Sequence, residues 1–208
     1  MDNVFCTRIE HPEKVFLTSD THFHHVNVLK YCNRPFATIE EMNEAIINNW
    51  NSVVSEDDHV YHLGDFCFGG VGKLNSIIMP DENGKKKLNG HIHLILGNHD
   101  PDRISKSEYA SSFFEEITYQ KYLILDGWGV FLNHFPFLDF SNNYDTKVIQ
   151  LHGHIHLGPN NTGTLNNDRY KILKWNQYDV GVDNNNYKPV SWEEVKAIIE
   201  ARRPQENG

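Results

Sequence analysis

No stretch of this chain approaches the roughly 18 consecutive apolar residues that a spanning helix needs. An integral helical membrane protein is therefore not expected. The first residues, MDNVFCTRIEHPEK, carry neither a basic n-region nor an apolar h-region, so no signal peptide is expected either. Cysteine is scarce: Cys6, Cys32 and Cys67 are an odd number without CxxC spacing. That reads against a disulfide framework and fits a reducing, cytoplasmic setting. Positive charge is also short. Nineteen Lys plus Arg face 28 Asp plus Glu, a net charge of −9. Without a basic footprint the chain is disfavoured as a nucleic-acid binder, although a small phosphorylated substrate stays open.

Material for a core is plentiful. The 208 residues are 39% hydrophobic and 12% aromatic, which excludes long disorder and is enough for one sizeable domain. The expected domain is 1–208, with a core over about 14–202 and a loose tail at 203–208. The first half alternates strand and helix patterns. Lys14–Ser19, His59–Leu63 and His91–Leu96 read as strands, and Val71–Met79 as a short helix ended by Pro80. Thr38–Val54 is the clearest helix: Ile39, Met42, Ile46, Trp50 and Val53 form an apolar stripe, opened by the Thr38/Glu41 capping-box pattern. The second half is mostly strands, at Tyr119–Leu125, Val130–Asn133, Lys147–His152 and Tyr170–Val182. A polar loop is expected at Gly158–Asp168. A last helix runs from a Ser191/Glu194 capping box to about Arg202. The fold class is α/β, with two packed sheets flanked by helices.

Histidine is abundant, at 13 residues, and most of it lies where apolar runs stop. Five stretches place Asp, His or Asn just past an expected strand end: Asp20-Thr21-His22, Gly64-Asp65, Gly97-Asn98-His99-Asp100, Asn133-His134 and Gly153-His154-Ile155-His156. In open α/β sheets, sites collect at the carboxyl ends of strands. Asp20, His22, Asp65, Asn98, His134, His154 and His156 together offer seven oxygen and imidazole donors with no thiolate. That is too many for a closed four-ligand zinc site and suits two metals sharing a carboxylate. The mixed donor set favours Mn, Fe, Zn, Ni or Co over Mg or Ca, with Mn the first choice in vitro. On extended backbone, Asp20 and His22 would face the same way, as would His154 and His156.

In this order the motifs resemble the calcineurin-like metallophosphoesterase superfamily. TSDTHFHH at 18–25, YCNRPF at 31–36, VYHLGDF at 60–66, LILGNHD at 94–100, LHGHIH at 151–156 and VGVDNNNYKPVS at 180–191 are similar to its small bacterial and phage branch. That branch usually has Gly where His24 stands; His25 fits its pattern better. The resemblance implies a four-layer α/β/β/α sandwich and hydrolysis of a phosphomonoester or phosphodiester by a metal-bridging hydroxide. It implies that Asp20, His22 and His156 hold one metal, that Asn98, His134 and His154 hold the other, and that Asp65 bridges them. His99 would protonate the leaving group, with Asp100 steering its ring. Arg34 has two readings, a phosphate clamp or a surface salt-bridge partner, and His25 could contact phosphate in a similar way. A nuclease of the same superfamily and a non-catalytic metal-binding scaffold are the alternatives.

Several histidines have plainer readings. Gly90-His91-Ile92-His93 repeats the G-H-I-H pattern but precedes Asn98 by a whole strand, about 16 Å at strand rise for His93. His91 and His93 are therefore read as strand residues. His62 reads as a strand residue or one behind the site, and His152 as either a support for the site or a packed strand residue.

Overall fold

The computed structural model describes residues 6–140, 147–159 and 171–204. Most of the loop expected at 158–168, and of the tail, lies outside them. Strands β1 (Thr7–Arg8) and β2 (Val15–Thr18) are followed by helices α1 (Val26–Tyr31) and α2 (Ile39–Val53). Then come β3 (His59–His62), α3 (Val71–Ile78), β4 (His91–Ile95), two single-turn helices α4 (Pro101–Ile104) and α5 (Ala110–Phe113), and β5 (Phe114–Thr118). The second half contributes β6 (Gln120–Leu125), β7 (Trp128–Asn133), β8 (Val148–His152), β9 (Gln177–Asp179), β10 (Val190–Ser191) and α6 (Trp192–Arg202).

These strands form two mixed five-stranded sheets, ordered β10-β2-β3-β4-β5 and β1-β6-β7-β8-β9. β2, β3, β4 and β5 run parallel, and so do β7, β8 and β9. Period-two alternation sends the two faces of the first sheet to different cores. Val60, Ile92 and Leu94 meet Met42, Ile46 and Trp50 of α2 and Leu74 of α3. Val15, Leu17, Tyr61 and Leu63 face Leu123, Val130, Leu132, Ile149 and Leu151 of the second sheet, and Trp192, Val195 and Ile199 of α6 join that inter-sheet core.

Local chemistry accounts for the long helices. The Thr38 side chain accepts the Glu41 N–H at the start of α2, and Ser191 and Glu194 exchange hydrogen bonds in a full capping box at α6. Four elements escaped the pattern reading. α1 has one buried residue, Val28, and no capping side chain. β1 and β10 are two residues long. β5 has only its first residue buried. Strand in the Tyr170–Val182 stretch is confined to β9 among the described residues. No helix among the described residues is long and apolar enough to cross a membrane.

Because β2, β3 and β4 are parallel and in register, their carboxyl ends share one edge. The ladder continues past them: Asp20 N–H donates to Gly64 O at 2.9 Å and His22 N–H to Asp65 O at 2.9 Å. A parallel bridge between Ser19 and Gly181, with Val182 N–H on Ser19 O at 3.0 Å, ties this edge to the chain after β9. His59, His91 and His93 sit toward the amino ends of β3 and β4, at the opposite edge, with His59 Nδ1 3.1 Å from His93 Nε2.

Two outcomes follow. Trp50 is fully buried, with its indole N–H on Asn89 O at 3.0 Å. Trp50→Ala should cost about 3–5 kcal/mol in urea unfolding. Burial, then His59, pushes His93 down to about 4. Between about pH 6.5 and 4 the unfolded chain then binds the His93 proton that the folded chain refuses, so stability falls as pH is lowered through that window. Urea midpoints measured in chelator at several pH values should show a shallower acid slope for His93→Gln.

Candidate metal centre

The carboxyl edge of both sheets collects one dense set of polar side chains. Asp20 and His22 follow β2, Asp65 follows β3, Asn98, His99 and Asp100 follow β4, His134 follows β7, and His154 and His156 follow β8. The two D-x-H and H-x-H pairs do not reach it by strand alternation. Asp20 has φ 56°, His22 48°, Asp65 55°, His154 69° and His156 48°. Left-handed backbone at non-glycine residues costs on the order of 1–3 kcal/mol each and persists only where surrounding structure enforces it. Here it turns each side chain inward from the strand end.

Close backbone approach is part of the same design. A Cβ on Gly64 would lie 2.5 Å from Gly97 N, and one on Gly97 would lie 2.5 Å from Asp65 N. Only glycine lets the loops after β3 and β4 touch. Carboxylates then clip the loops together. Asp100 accepts the N–H groups of Asp65 (2.7 Å), Phe66 (3.0 Å) and Gly97 (2.8 Å). Asp65 Oδ1 accepts the His99 N–H, and Asp20 Oδ2 the His154 N–H, both at 2.9 Å. Asp179 accepts those of Leu157 (2.8 Å) and Gly181 (2.7 Å), while burial pushes it up to about 7.

The remaining lone pairs converge in two groups. Asp20, His22 and His156 form one and Asp65, His134 and His154 the other, while Cys32 and Asp183 gather on the opposite nitrogen of His156. In the first, Asp20 Oδ1 lies 3.6 Å from His156 Nε2 and 3.9 Å from His22 Nε2. Asp20 Oδ1 and His22 Nε2 are fully buried and have no hydrogen-bond partner. Such orphaned buried atoms are costly unless something else satisfies them. In the second, His134 Nδ1–H donates to Leu63 O at 2.8 Å. In the neutral ring this leaves Nε2 a bare acceptor, yet Nε2 faces Asn98 Oδ1 at 3.1 Å and Asp65 Oδ2 at 3.5 Å. Acceptors facing acceptors call for a cation between them. Asp65 Oδ2 also lies 3.5 Å from His22 Nε2, so one oxygen belongs to both groups. Burial, then the Asp20 charge, pushes Asp65 up to about 7. Burial drives His22 well below the ordinary imidazole value, with the nearby His156 charge adding to it. Burial also opposes charge on His156, but Asp20 and Asp183 outweigh it and hold that ring well above the ordinary value.

One expected role changes. Arg34 is neither a surface residue nor available to a phosphate. Its Nε and Nη2 grip Asp183 at 2.8 Å each, Nη2 also donates to Asp20 O at 2.7 Å, and Nη1 donates to Thr21 O at 3.1 Å, all buried. Asp100 accepts the three backbone N–H groups above, so it also fixes the loop geometry on which His99 sits. The residue the sequence reading missed is Asp183. Its Oδ2 accepts His156 Nδ1–H at 2.7 Å, which presents Nε2 to the first group. The VGVD stretch carrying Asp183 was visible, but its pairing with Arg34, 149 positions away, was not. Cys32 Sγ lies 3.3 Å from the same Nδ1. His25 Nδ1 lies 3.1 Å from His22 Nδ1, so it braces that ring from the cavity side. His62, pushed down to about 3 by burial, bonds Thr21 Oγ1 at 3.0 Å behind the site. His24 turns away to Asn43 and Ser76, and His152 is packed with Nδ1–H on Gly153 O at 3.1 Å.

The sequence model of the calcineurin-like phosphoesterase family matches residues 13–202. The chain belongs to that family. Members are phosphoesterases that use divalent metal ions, and the two donor groups suit such ions. An uncharacterised protein of Methanocaldococcus jannaschii is 36% identical over 193 residues, 90% of this chain and 92% of its own. The gene 66 protein of Mycobacterium phage L5 is 27% identical over 165 residues, covering 68% of this chain and 76% of the phage protein. A crystal structure of a protein of unknown function from Aquifex aeolicus superposes with a TM-score of 0.62 at 26% identity, covering 88% of this chain and 98% of the other.

Removing the buried support of one ligand tests the assignment of Asp183. Asp183→Asn, which leaves the buried Arg34 charge unpaired, should cost about 3–5 kcal/mol of stability and weaken divalent-ion binding by the folded protein roughly 10–100-fold, read by competition with a coloured chelator. Unchanged affinity would leave Asp183 a purely structural partner of Arg34.

Proposed function

We propose that this protein hydrolyses a small phosphomonoester or phosphodiester with two divalent transition-metal ions. The observation that carries the reading is Asp65 Oδ2, set 3.5 Å from both His22 Nε2 and His134 Nε2, between the two donor groups, the first of which holds the partnerless buried atoms Asp20 Oδ1 and His22 Nε2. Asp20, His22 and His156 would hold one ion, and Asn98, His134 and His154 the other, with Asp65 shared. Bound there, the ions would activate a water as nucleophile and neutralise phosphate oxygens as charge builds in the transition state. The mixed nitrogen and oxygen set favours Mn, Fe, Zn, Ni or Co, and Mn is the ion of choice for assay.

The chain's own residues supply the rest. His99 is the partly exposed member: its side chain is 38% exposed and its Nε2 lies 4.0 Å from Asp65 Oδ2. That location suits a proton donor to the leaving oxygen. Its backbone is pinned by the N–H bond to Asp65, and Asp100 holds the loops on both sides. Arg34 and Asp183 align His156, and His25 aligns His22. A cavity of about 380 Å³ opens over this set, and among the described residues no Lys or Arg lines it. Together with the net charge of −9, this supports a small substrate over a nuclease role. The three cysteines, none of them in a disulfide, support a reducing, cytoplasmic setting.

Metal-stripped protein should hydrolyse bis(p-nitrophenyl) phosphate or p-nitrophenyl phosphate only after Mn, Ni, Zn or Mg is restored, with Mn expected to be most effective. Asp65→Asn should lose at least 100-fold in kcat/KM, on the order of a single electrostatic partner in a transition state. Two ions bound per chain without turnover of either ester would favour the scaffold alternative. Cleavage of a labelled oligonucleotide at low salt would favour the nuclease.

A further inference from the structure

The phosphoesterase reading, on which the following rests, leaves open what the ester carries. The cavity over the donor groups has two unlike walls. One is the histidine and carboxylate set. The other is built by α1 and the loop after β3, and it is aromatic. The rings of Tyr31 and His25 lie 6.3 Å apart at 79°, those of His25 and Phe68 4.0 Å apart at 14°, and those of Phe68 and His99 5.5 Å apart at 73°. This continuous arc starts at Tyr31, which is 51% exposed, and ends at His99, the candidate proton donor. Val28 adds an aliphatic patch and Asn27 an amide to the same wall.

The placement has chemical consequences. The leaving oxygen must lie beside His99, so the group attached to it lies along the arc. Aromatic faces bind flat π-systems through offset stacking and edge contacts. The Asn27 amide can both donate and accept, as the polar edge of a heterocycle requires. Among the described residues the lining holds no Lys or Arg, so these residues offer a second phosphate no cation beyond the donor groups. A volume of about 380 Å³ is at the small end of ligand pockets, enough for one ring system and one phosphate.

We propose that the substrate is a nucleotide-class ester: one phosphate joined to a group bearing a flat heteroaromatic base, which stacks on the exposed Tyr31 ring and packs along the wall formed by the stacked His25–Phe68 pair. Phosphate release from AMP, glucose 6-phosphate and ADP by the Mn-loaded protein tests it, with the dinucleotide ApA as the diester arm. AMP or ApA should be preferred. Tyr31→Ala should raise KM for the preferred nucleotide about 5–100-fold, the range of one lost base stack, with little change in kcat and none in KM for glucose 6-phosphate. Tyr31→Phe should restore the wild-type KM. Calorimetry with adenosine, which carries no phosphate, reads the arc without metal: wild type should bind, and Tyr31→Ala should bind more weakly. Metal-dependent hydrolysis without nucleotide preference, or adenosine binding unaffected by Tyr31→Ala, would overturn the arc while leaving the phosphoesterase reading intact. Adenosine binding through Tyr31 without hydrolysis of any ester would keep the arc and overturn the phosphoesterase reading.

Discussion

Buried negative charge at the meeting edge of two sheets governs this structure. Asp20 and Asp65 are both buried, and each has one oxygen committed to a backbone N–H from a neighbouring loop. The other oxygen of each points among imidazole nitrogens that cannot all donate to it. Such an arrangement is expensive in a protein interior unless a cation balances it. The surrounding features make sense as means of holding it: left-handed backbone at five donor residues, glycine contacts that let loops touch, and carboxylates clipping those loops.

The two sheets contribute unequally but jointly. The first supplies Asp20, His22, Asp65 and Asn98, and the second supplies His134, His154 and His156. Neither donor group belongs to one sheet alone. The first mixes residues after β2 and β8, and the second mixes residues after β3, β4, β7 and β8. The inter-sheet core, where Leu17 and Leu63 face Leu132 and Leu151, therefore sets the ligand geometry as directly as the loops do. The Ser19–Gly181 bridge and the Arg34 link from Asp20 O and Thr21 O to Asp183 add polar ties across the same seam.

Much of this was legible in the sequence. The α2 stripe and the capping signals at Thr38 and Ser191 mark helices because they are local patterns. The strand ends are marked by glycine and aspartate, so the donor residues could be named in advance. What stayed hidden depends on long-range partners. Arg34 reads as a free guanidinium until Asp183 is folded against it. Asp100 reads as a histidine partner by its place in the GNHD stretch, and its hold on three backbone N–H groups shows only in the fold. The H-x-H and D-x-H spacings suggest extended alternation, whereas left-handed turns bring the side chains together. α1 carries the aromatic wall yet shows almost no amphipathic signal, because only Val28 is buried.

The most direct test of the central claim is an anomalous-scattering crystal structure of the protein soaked in Mn. The account predicts two peaks about 3.5–4 Å apart, one among Asp20, His22 and His156, the other among Asn98, His134 and His154, with Asp65 touching both. A single peak, or two peaks that Asp65 does not join, would contradict it.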